Sequence, residues 1–191
     1  MAESTPPIVN IVGENIALGP LRREVMTTLD FQWANDFAVT LMGGHPPGPV
    51  TAEQVVAHYE SVLQRHGELW FLIYERATWR PIGVTFFSDM QRVYQRAEFN
   101  ISIGVKECWG RGYGTETTRL MLRYAFDTLG FNMIWLRVLS VNERAIRAYI
   151  RAGFREAGRL REAQWIGQQA VDVVYMDCLA REFLSAESAP I

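Results

Sequence analysis

The sequence predicts a single-domain α+β protein, built on a mixed sheet of about seven strands flanked by four helices. Three observations support this class. The chain of 191 residues has the length of one well-filled domain. Strand-like alternation recurs along it, and segments of helical periodicity interrupt the strands. Residues 1–191 therefore form one domain in this prediction, with 1–10 and 185–191 expected to be loose tails.

The first part of the chain predicts one strand followed by two helices. The strand is expected at 15–21 and the first helix at 25–39, where apolar residues recur at helical spacing. Prolines and glycines in 43–49 exclude helix and strand alike. Thr51 then stands as a favoured N-cap, with a glutamine at the capping-box position, so the second helix is expected at 52–66.

Four strand candidates follow. β-Forming residues fill 68–76, 81–89 and 97–105, and the short connections between these ranges make them antiparallel neighbours. The run 133–139 is apolar almost throughout, which is typical of a buried strand.

Two helices separate the later strands, and a hairpin ends the fold. Residues 117–129 carry apolar positions at helical spacing without a proline. Asn142 is a suitable N-cap for the next helix, on which Ile146, Tyr149 and Ile150 share one stripe. The hairpin is expected around Gly167-Gln168, with strands at 155–166 and 170–180.

Composition excludes several classes of function. The net charge of −2 and the pI of about 6.0 give no basic field for nucleic acid. The two cysteines lie far apart and the three histidines add no ligand spacing, so neither a disulfide framework nor a metal site is expected. The N-terminus has no basic, apolar leader, and no apolar run reaches the length of a membrane span. We expect a soluble cytoplasmic protein.

The most informative stretch is a strand, a glycine loop and a helix between Ile101 and Thr128. The loop places Gly110, Gly112 and Gly114 directly before the helix. Unpartnered N–H groups and the dipole at a helix start favour an anion, and glycine lets a ligand approach closely. Arg111 adds a fixed positive charge.

This loop matches neither of two familiar phosphate-binding patterns. The phosphate loop GxxxxGK[S/T] fails because Thr115-Glu116 follow the last glycine, and the dinucleotide fingerprint GxGxxG fails because Thr117 replaces its last glycine. On this loop alone, a glycine-rich turn without any ligand remains the alternative.

The run from Glu98 to Phe154 resembles the GNAT superfamily of acyl-CoA-dependent N-acyltransferases. The family's pyrophosphate loop, [Gln/Arg]-x-x-Gly-x-[Gly/Ala], falls on Trp109 to Gly114, with the tryptophan at the Gln/Arg position. The run from Asn142 to Tyr149, followed by Gly153-Phe154, is also similar to the family's. The resemblance extends from about Asn15 to Phe183, and it looks like the subgroup of ribosomal-protein N-terminal, spermidine and antibiotic acetyltransferases.

The resemblance implies acetyl-CoA as cosubstrate, direct attack by an amine, and no metal. It also implies that strands 97–105 and 133–139 lie side by side and splay, leaving a slot for the pantetheine arm. The backbone of Ile103 and Val105 would hydrogen-bond this arm, and Asn142 would orient it. The implied pyrophosphate-binding residues are Gly110, Arg111, Gly112, Tyr113, Gly114 and Thr115.

Two residues are predicted to take part in catalysis. Tyr149 would protonate the departing thiolate, and Glu98 is the candidate general base. Each has a structural alternative. A tyrosine on an apolar stripe is usually a core residue with a hydrogen-bonded hydroxyl, and a carboxylate at a strand start can simply face solvent. The N-cap role alone would likewise explain the asparagine at position 142, without any contact to the cosubstrate.

The amine itself stays open, because the resemblance admits polyamines, aminoglycosides, amino sugars and protein N-terminal amines. Aromatic and acidic residues in the expected specificity segments suit a cationic amine, and the predicted substrate-binding residues are Trp33, Phe87, Asp89 and Tyr94. A homodimer is left open as the assembly. The alternative functions are a non-catalytic acyl-CoA sensor and an interaction domain.

Overall fold

A computed structural model of the chain describes residues 6–44 and 48–187. All strands belong to one sheet, which confirms the α+β class. They are β1 Ile11–Val12, β2 Ile16–Gly19, β3 Leu69–Glu75, β4 Arg80–Gln91, β5 Arg96–Ile103, β6 Met133–Leu139, β7 Arg155–Ile166 and β8 Gln169–Leu179.

The sheet has eight strands in the order β1-β2-β3-β4-β5-β6-β8-β7. The strand beyond the predicted seven is β1, whose two residues are too few to show an alternating pattern. Strands β2 to β5 pair antiparallel with their neighbours, as do β6, β8 and β7. The two halves meet in the parallel pair β5–β6, which has only the three residue pairs from Arg96–Met133 to Glu98–Trp135.

Seven α-helical segments cover the two faces of the sheet within the described ranges. They are α1 Arg23–Val25, α2 Phe31–Ala34, α3 Phe37–Thr40, α4 Ala52–Gln64, α5 Tyr113–Arg123, α6 Glu143–Ala152 and α7 Ala180–Glu187. The Thr51 capping box at the start of α4 is present as predicted, and a π-helical turn, Tyr124–Thr128, extends α5.

The single helix predicted at 25–39 is wrong, because that segment is interrupted twice. A π-helical turn at Met26–Asp30 joins α1 to α2. The chain then leaves the helical conformation at Asp36, whose carboxylate accepts a hydrogen bond from the Ala38 N–H at 3.0 Å. A side chain that caps a new helix in this way ends the preceding one.

The predicted tails are partly wrong. Residues 185–187 belong to α7, and the ring of Phe183 in this helix packs 5.6 Å from that of Phe126. Asn10 donates a backbone hydrogen bond to Leu18 at 2.7 Å, so the chain is already tied to the sheet there. Residues 1–5 and 188–191, and residues 45–47 of the predicted loop, lie outside the described ranges.

Alternation along β3 divides the buried side chains between the two faces. Ile73 belongs to the larger apolar cluster, together with Met121 of α5. Leu72 points to the other face, where it joins Met26 and Trp33 of the N-terminal helical segments. The sheet therefore lies between two helical layers, and both layers contribute walls to the cavity described next.

Candidate functional site

The site lies where β5 and β6 separate. Their pairing stops after Glu98–Trp135, although both strands continue for several residues. Residues 101–103 of β5 and Val138 and Leu139 of β6 line a cavity of about 1080 Å³. This is the splay that the resemblance implied.

The glycine loop lies at one end of the cavity. Gly110 and Gly112 adopt positive φ values of 78° and 85°, and nothing lies within 4 Å of where a Cβ would be built on either. Helix α5 then starts at Tyr113 without a side-chain cap at Gly112. The open cradle and the uncapped N–H groups of the first turn fit a pyrophosphate.

Arg111 and Tyr113, both predicted to bind the pyrophosphate, differ in their position relative to the cavity. Tyr113 lines the cavity and Arg111 does not, yet both contact the buried carboxylate of Glu75, with the Tyr113 hydroxyl donating at 3.0 Å and Arg111 lying 3.5 Å away. A hydrogen bond from Thr78, and then the one from Tyr113, keep the pKa of Glu75 below its usual value. Glu75 thus ties the loop to the end of β3 and offsets the charge of Arg111.

The backbone groups assigned to pantetheine are engaged within the protein. The Ile103 carbonyl accepts a hydrogen bond from the Trp109 Nε1 at 2.7 Å. The Val105 N–H donates to the Ile82 carbonyl at 3.2 Å. Trp109, the residue at the Gln/Arg position of the motif, is therefore a brace between the loop and β5. The Arg144 guanidinium lies 3.8 Å from the centre of its ring.

Asn142 has both of its amide groups in use. Its Oδ1 accepts from the Ala145 N–H at 3.2 Å, which confirms the predicted cap of α6. Its Nδ2 donates to the Met42 carbonyl at 3.1 Å. The side chain lines the cavity and joins α6 to the N-terminal helical segment.

Tyr149 extends from α6 to the cavity wall. Its half-buried ring packs edge-on against Phe99 at 6.3 Å and against Phe154 at 6.0 Å. No described residue accepts a hydrogen bond from its hydroxyl, and burial raises its pKa to about 12. Ile150, predicted on the same buried stripe, is 56% exposed, so the aromatic neighbours fix the ring instead.

Glu98 also lines the cavity, and it does not face solvent, since it is only 7% exposed. Its Oε1 accepts from the Arg137 Nε at 2.8 Å, and its Oε2 accepts from the Ser88 hydroxyl at 3.3 Å. The carboxylate is held in place by a partner from β6, directly below the point where the strands separate.

Of the predicted substrate-binding residues, only Trp33 lines the cavity. Its indole lies directly on Gly104, where any Cβ would collide with the ring. Phe87 is fully buried in the core, while Asp89 and Tyr94 are exposed and lie outside the cavity lining. The neighbouring Phe86 faces the cavity, because successive side chains of a strand point to opposite sides.

Several cavity residues were not predicted. Phe86 stacks on Trp70 at 3.6 Å, and Arg137 and Arg144 supply the charges described above. Asp30 is a further lining residue, and burial raises its pKa to about 6. Its position could have been found from the sequence, since Asp30 lies three residues before Trp33 and shares its helix face.

Together these residues form one cavity with a phosphate-type cradle and a tyrosine hydroxyl that no described residue pairs with. Three carboxylates, those of Asp30, Glu68 and Glu98, also line it. Such a site can hold an anionic ligand at one end and a cation elsewhere. Among the described residues, no group of three or more His, Cys, Asp and Glu side chains could hold a metal ion. In the same part of the chain, no helix has the length and apolar character of a membrane span.

Comparison with known sequences identifies related proteins. The sequence model of a family described as "Acetyltransferase (GNAT) domain" matches residues 15–155. The spermidine N(1)-acetyltransferase of Escherichia coli (strain K12) is 30% identical over 108 residues, which are 56% of this chain and 58% of that protein. The putative ribosomal N-acetyltransferase YdaF of Bacillus subtilis (strain 168) is 30% identical over 101 residues, 53% of this chain and 55% of that one. The match thus spans little more than half the length of these two relatives.

Comparison with solved structures gives the same fold. The spermidine N-acetyltransferase of Vibrio cholerae, in complex with CoA and spermine, superimposes with a TM-score of 0.81. The match covers 89% of this chain and 98% of that one at 24% sequence identity. At this identity the likeness establishes the architecture alone.

Proposed function

The chain belongs to the GNAT acetyltransferase family, and we propose that it moves an acetyl group from acetyl-CoA to a primary amine by direct attack. The observation that carries the proposal is the shared cavity, because the glycine cradle and the free hydroxyl of Tyr149 line the same space. A site of this kind can bind the phosphates of the donor and protonate its sulfur.

The donor's pyrophosphate would lie on the N–H groups of Tyr113, Gly114 and Thr115 at the start of α5. Its pantetheine arm would lie between β5 and β6, beside Asn142. Arg144, Arg147 and Arg151 of α6 also line the cavity and can offset the remaining phosphate charge. Burial lowers the pKa of Arg144, but its guanidinium stays charged at neutral pH.

In the transfer step, the amine nitrogen forms a bond to the acetyl carbon and the bond from that carbon to sulfur breaks. The sulfur leaves as a thiolate with a pKa near 8.5, by analogy with cysteine. Tyr149 gives its hydroxyl proton to this sulfur. With a pKa of about 12, the hydroxyl stays protonated at neutral pH, so its proton is present when charge builds on the sulfur.

Glu98 is proposed as the base that takes the proton from the amine. Because its oxygens already accept from Arg137 and Ser88, the proton would reach it through water. A base matters most for an amine with a pKa near 10.4, of which only about 0.1% is neutral at pH 7.5.

The amine classes proposed are polyamines, aminoglycosides, amino sugars and protein N-terminal amines. Relatives named for spermidine and for ribosomal proteins support two of these classes. A screen of all four classes for release of free thiol from acetyl-CoA would identify the substrate.

Tyr149→Phe tests the acid, because it keeps the packing on Phe99 and removes only the hydroxyl. We expect kcat to fall at least about tenfold, or roughly 1.4 kcal/mol in activation free energy, with little change in acetyl-CoA affinity. Tyr175→Phe is the matched control, since Tyr175 stacks on Trp135 and does not line the cavity. An unchanged kcat, with chemistry shown to be rate-limiting, would remove Tyr149 from the mechanism.

Glu98→Gln tests the base in the same assay. With an amine of high pKa at pH 7.5, we expect a loss of at least about tenfold in kcat, which diminishes at higher pH as more of the amine becomes neutral. An unchanged rate at pH 7.5 would leave Glu98 with a purely structural part in the pair with Arg137.

The alternative is a non-catalytic acyl-CoA sensor, which would bind CoA without releasing thiol in the presence of any amine. Tyr149 favours the enzyme, because a sensor has no use for an unpaired acid on the cavity wall.

A further inference from the structure

Asp30 differs from the other carboxylates that line the cavity. Glu98 is paired with Arg137. Glu68 accepts from Arg65 at 3.1 Å and from the Trp70 Nε1 at 2.8 Å. Asp30 has no hydrogen-bond or ion-pair partner among the described residues. It is therefore the one lining carboxylate in those ranges whose charge is not offset by the protein.

The position of Asp30 explains its desolvation. Met26, Asp30 and Trp33 are spaced i, i+4 and i+7, so they share one face of the N-terminal helical segments. All three line the cavity. Met26 and Trp33 are 1% and 8% exposed, so the carboxylate shares its helix face with two buried apolar side chains. A charge in such surroundings is costly without a partner, and a bound cation would supply one.

The reacting amine is a poor candidate for this cation. It must be neutral to attack, and a nearby carboxylate stabilises the ammonium form instead. An unpaired carboxylate therefore suits a cationic group that does not react.

We propose that Asp30 is a specificity-determining residue and binds a second, non-reacting ammonium group of the amine substrate. The inference rests on the proposed acetyl transfer and narrows its substrates to amines with at least two cationic groups. Polyamines and aminoglycosides meet this requirement. An amino sugar with a single amine does not, and a protein N-terminus does so only beside a cationic side chain.

The test compares α,ω-diamines of three to eight carbons with monoamines of the same length. Binding to the CoA-bound protein is followed by titration calorimetry, so the result does not depend on turnover. We expect the diamine of best-fitting length to bind more tightly than its monoamine, and Asp30→Asn to weaken the diamine at least about tenfold. Monoamine binding should change less than about twofold.

Two further variants serve as controls for this test. Asp30→Glu keeps the charge and should retain most of the preference for diamines. Glu53→Gln removes the same charge from an exposed position on α4 outside the cavity lining, and should leave all affinities unchanged. The proposal is overturned if no diamine binds more tightly than its monoamine, or if Asp30→Asn weakens both alike. Release of free thiol is measured in a separate assay, and its absence with every amine would refute acetyl transfer. The binding titration would still decide the role of Asp30.

Discussion

At the scale of single residues, side chains of the same type in the cavity wall have different surroundings. Glu98 and Asp30 are both lining carboxylates, yet Glu98 is held by an arginine, whereas Asp30 is desolvated and has no partner in the described part of the chain. The sequence could predict that Tyr149 and Glu98 lie at the site, because both match positions of the family that the chain resembles. It could not predict Arg137 as the partner of Glu98, because the two residues come together only when β6 pairs with β5.

The raised pKa of Asp30 predicts a pH-dependent stability difference. In the folded protein its pKa is about 6, against 3.8 for the free side chain. The ionised group therefore destabilises the fold above pH 6, and this cost disappears as the pH falls toward 4. We expect Asp30→Asn to raise the free energy of unfolding at pH 7.5, by about 3 kcal/mol at most. Urea denaturation at pH 7.5 and 5 would measure the gain, which should be smaller at pH 5. A gain that is absent, or equal at both pH values, would mean that Asp30 is well solvated.

At the scale of elements, the glycine loop and the start of α5 together form the open cradle at one end of the cavity. Strand, loop and helix could be predicted because each has its own local pattern. It was harder to predict which strand residues face the cavity, since side-chain alternation along β4 puts Phe86 there and Phe87 in the core. A shift of one residue in a strand exchanges its two faces, and local composition does not fix that choice.

Gly114 allows a test of this element. It lies in the first turn of α5 without a positive φ, and an added Cβ would approach only Ile103, at 3.8 Å. Gly114→Val should therefore fold normally while its side chain blocks the backbone N–H groups. CoA and acetyl-CoA should raise the melting temperature of the wild type, by the equivalent of about 2.7 kcal/mol at 100 times Kd, and the variant should lose most of that shift.

Two kinds of control belong to this thermal shift experiment. NAD and ATP at equal concentration are the control ligands, and Gly158→Val on β7 is the control variant. Gly158 has open space around its Cβ position and lies outside the cavity lining, so its variant should keep the full CoA response. Equal stabilisation of the wild type by NAD or ATP would contradict the CoA assignment.

At the scale of the whole molecule, the order of elements was predictable and the shape of the cavity was not. The strands from β2 onward, α4 and the two helices after the glycine loop follow from periodicity and capping. The short strand β1 and the helix α7 carry too few patterned residues to be recognised. Asp30 and Trp70 come from distant parts of the chain, and only the packing of the helical layer on the sheet brings both to the cavity wall.

Because the β5–β6 pairing ends early, backbone groups on the facing edges of both strands are left without a strand partner. Beyond Glu98 and Trp135, the two strands no longer hydrogen-bond to each other, so each turns an open edge toward the gap. Open edges on a protein's surface invite pairing with other chains and aggregation. Here they face the cavity, whose lining also includes residues of the glycine loop, α6 and the N-terminal helical segments. A narrow, extended ligand with amide groups of its own suits such a gap, because it can hydrogen-bond to a strand edge as a further strand would.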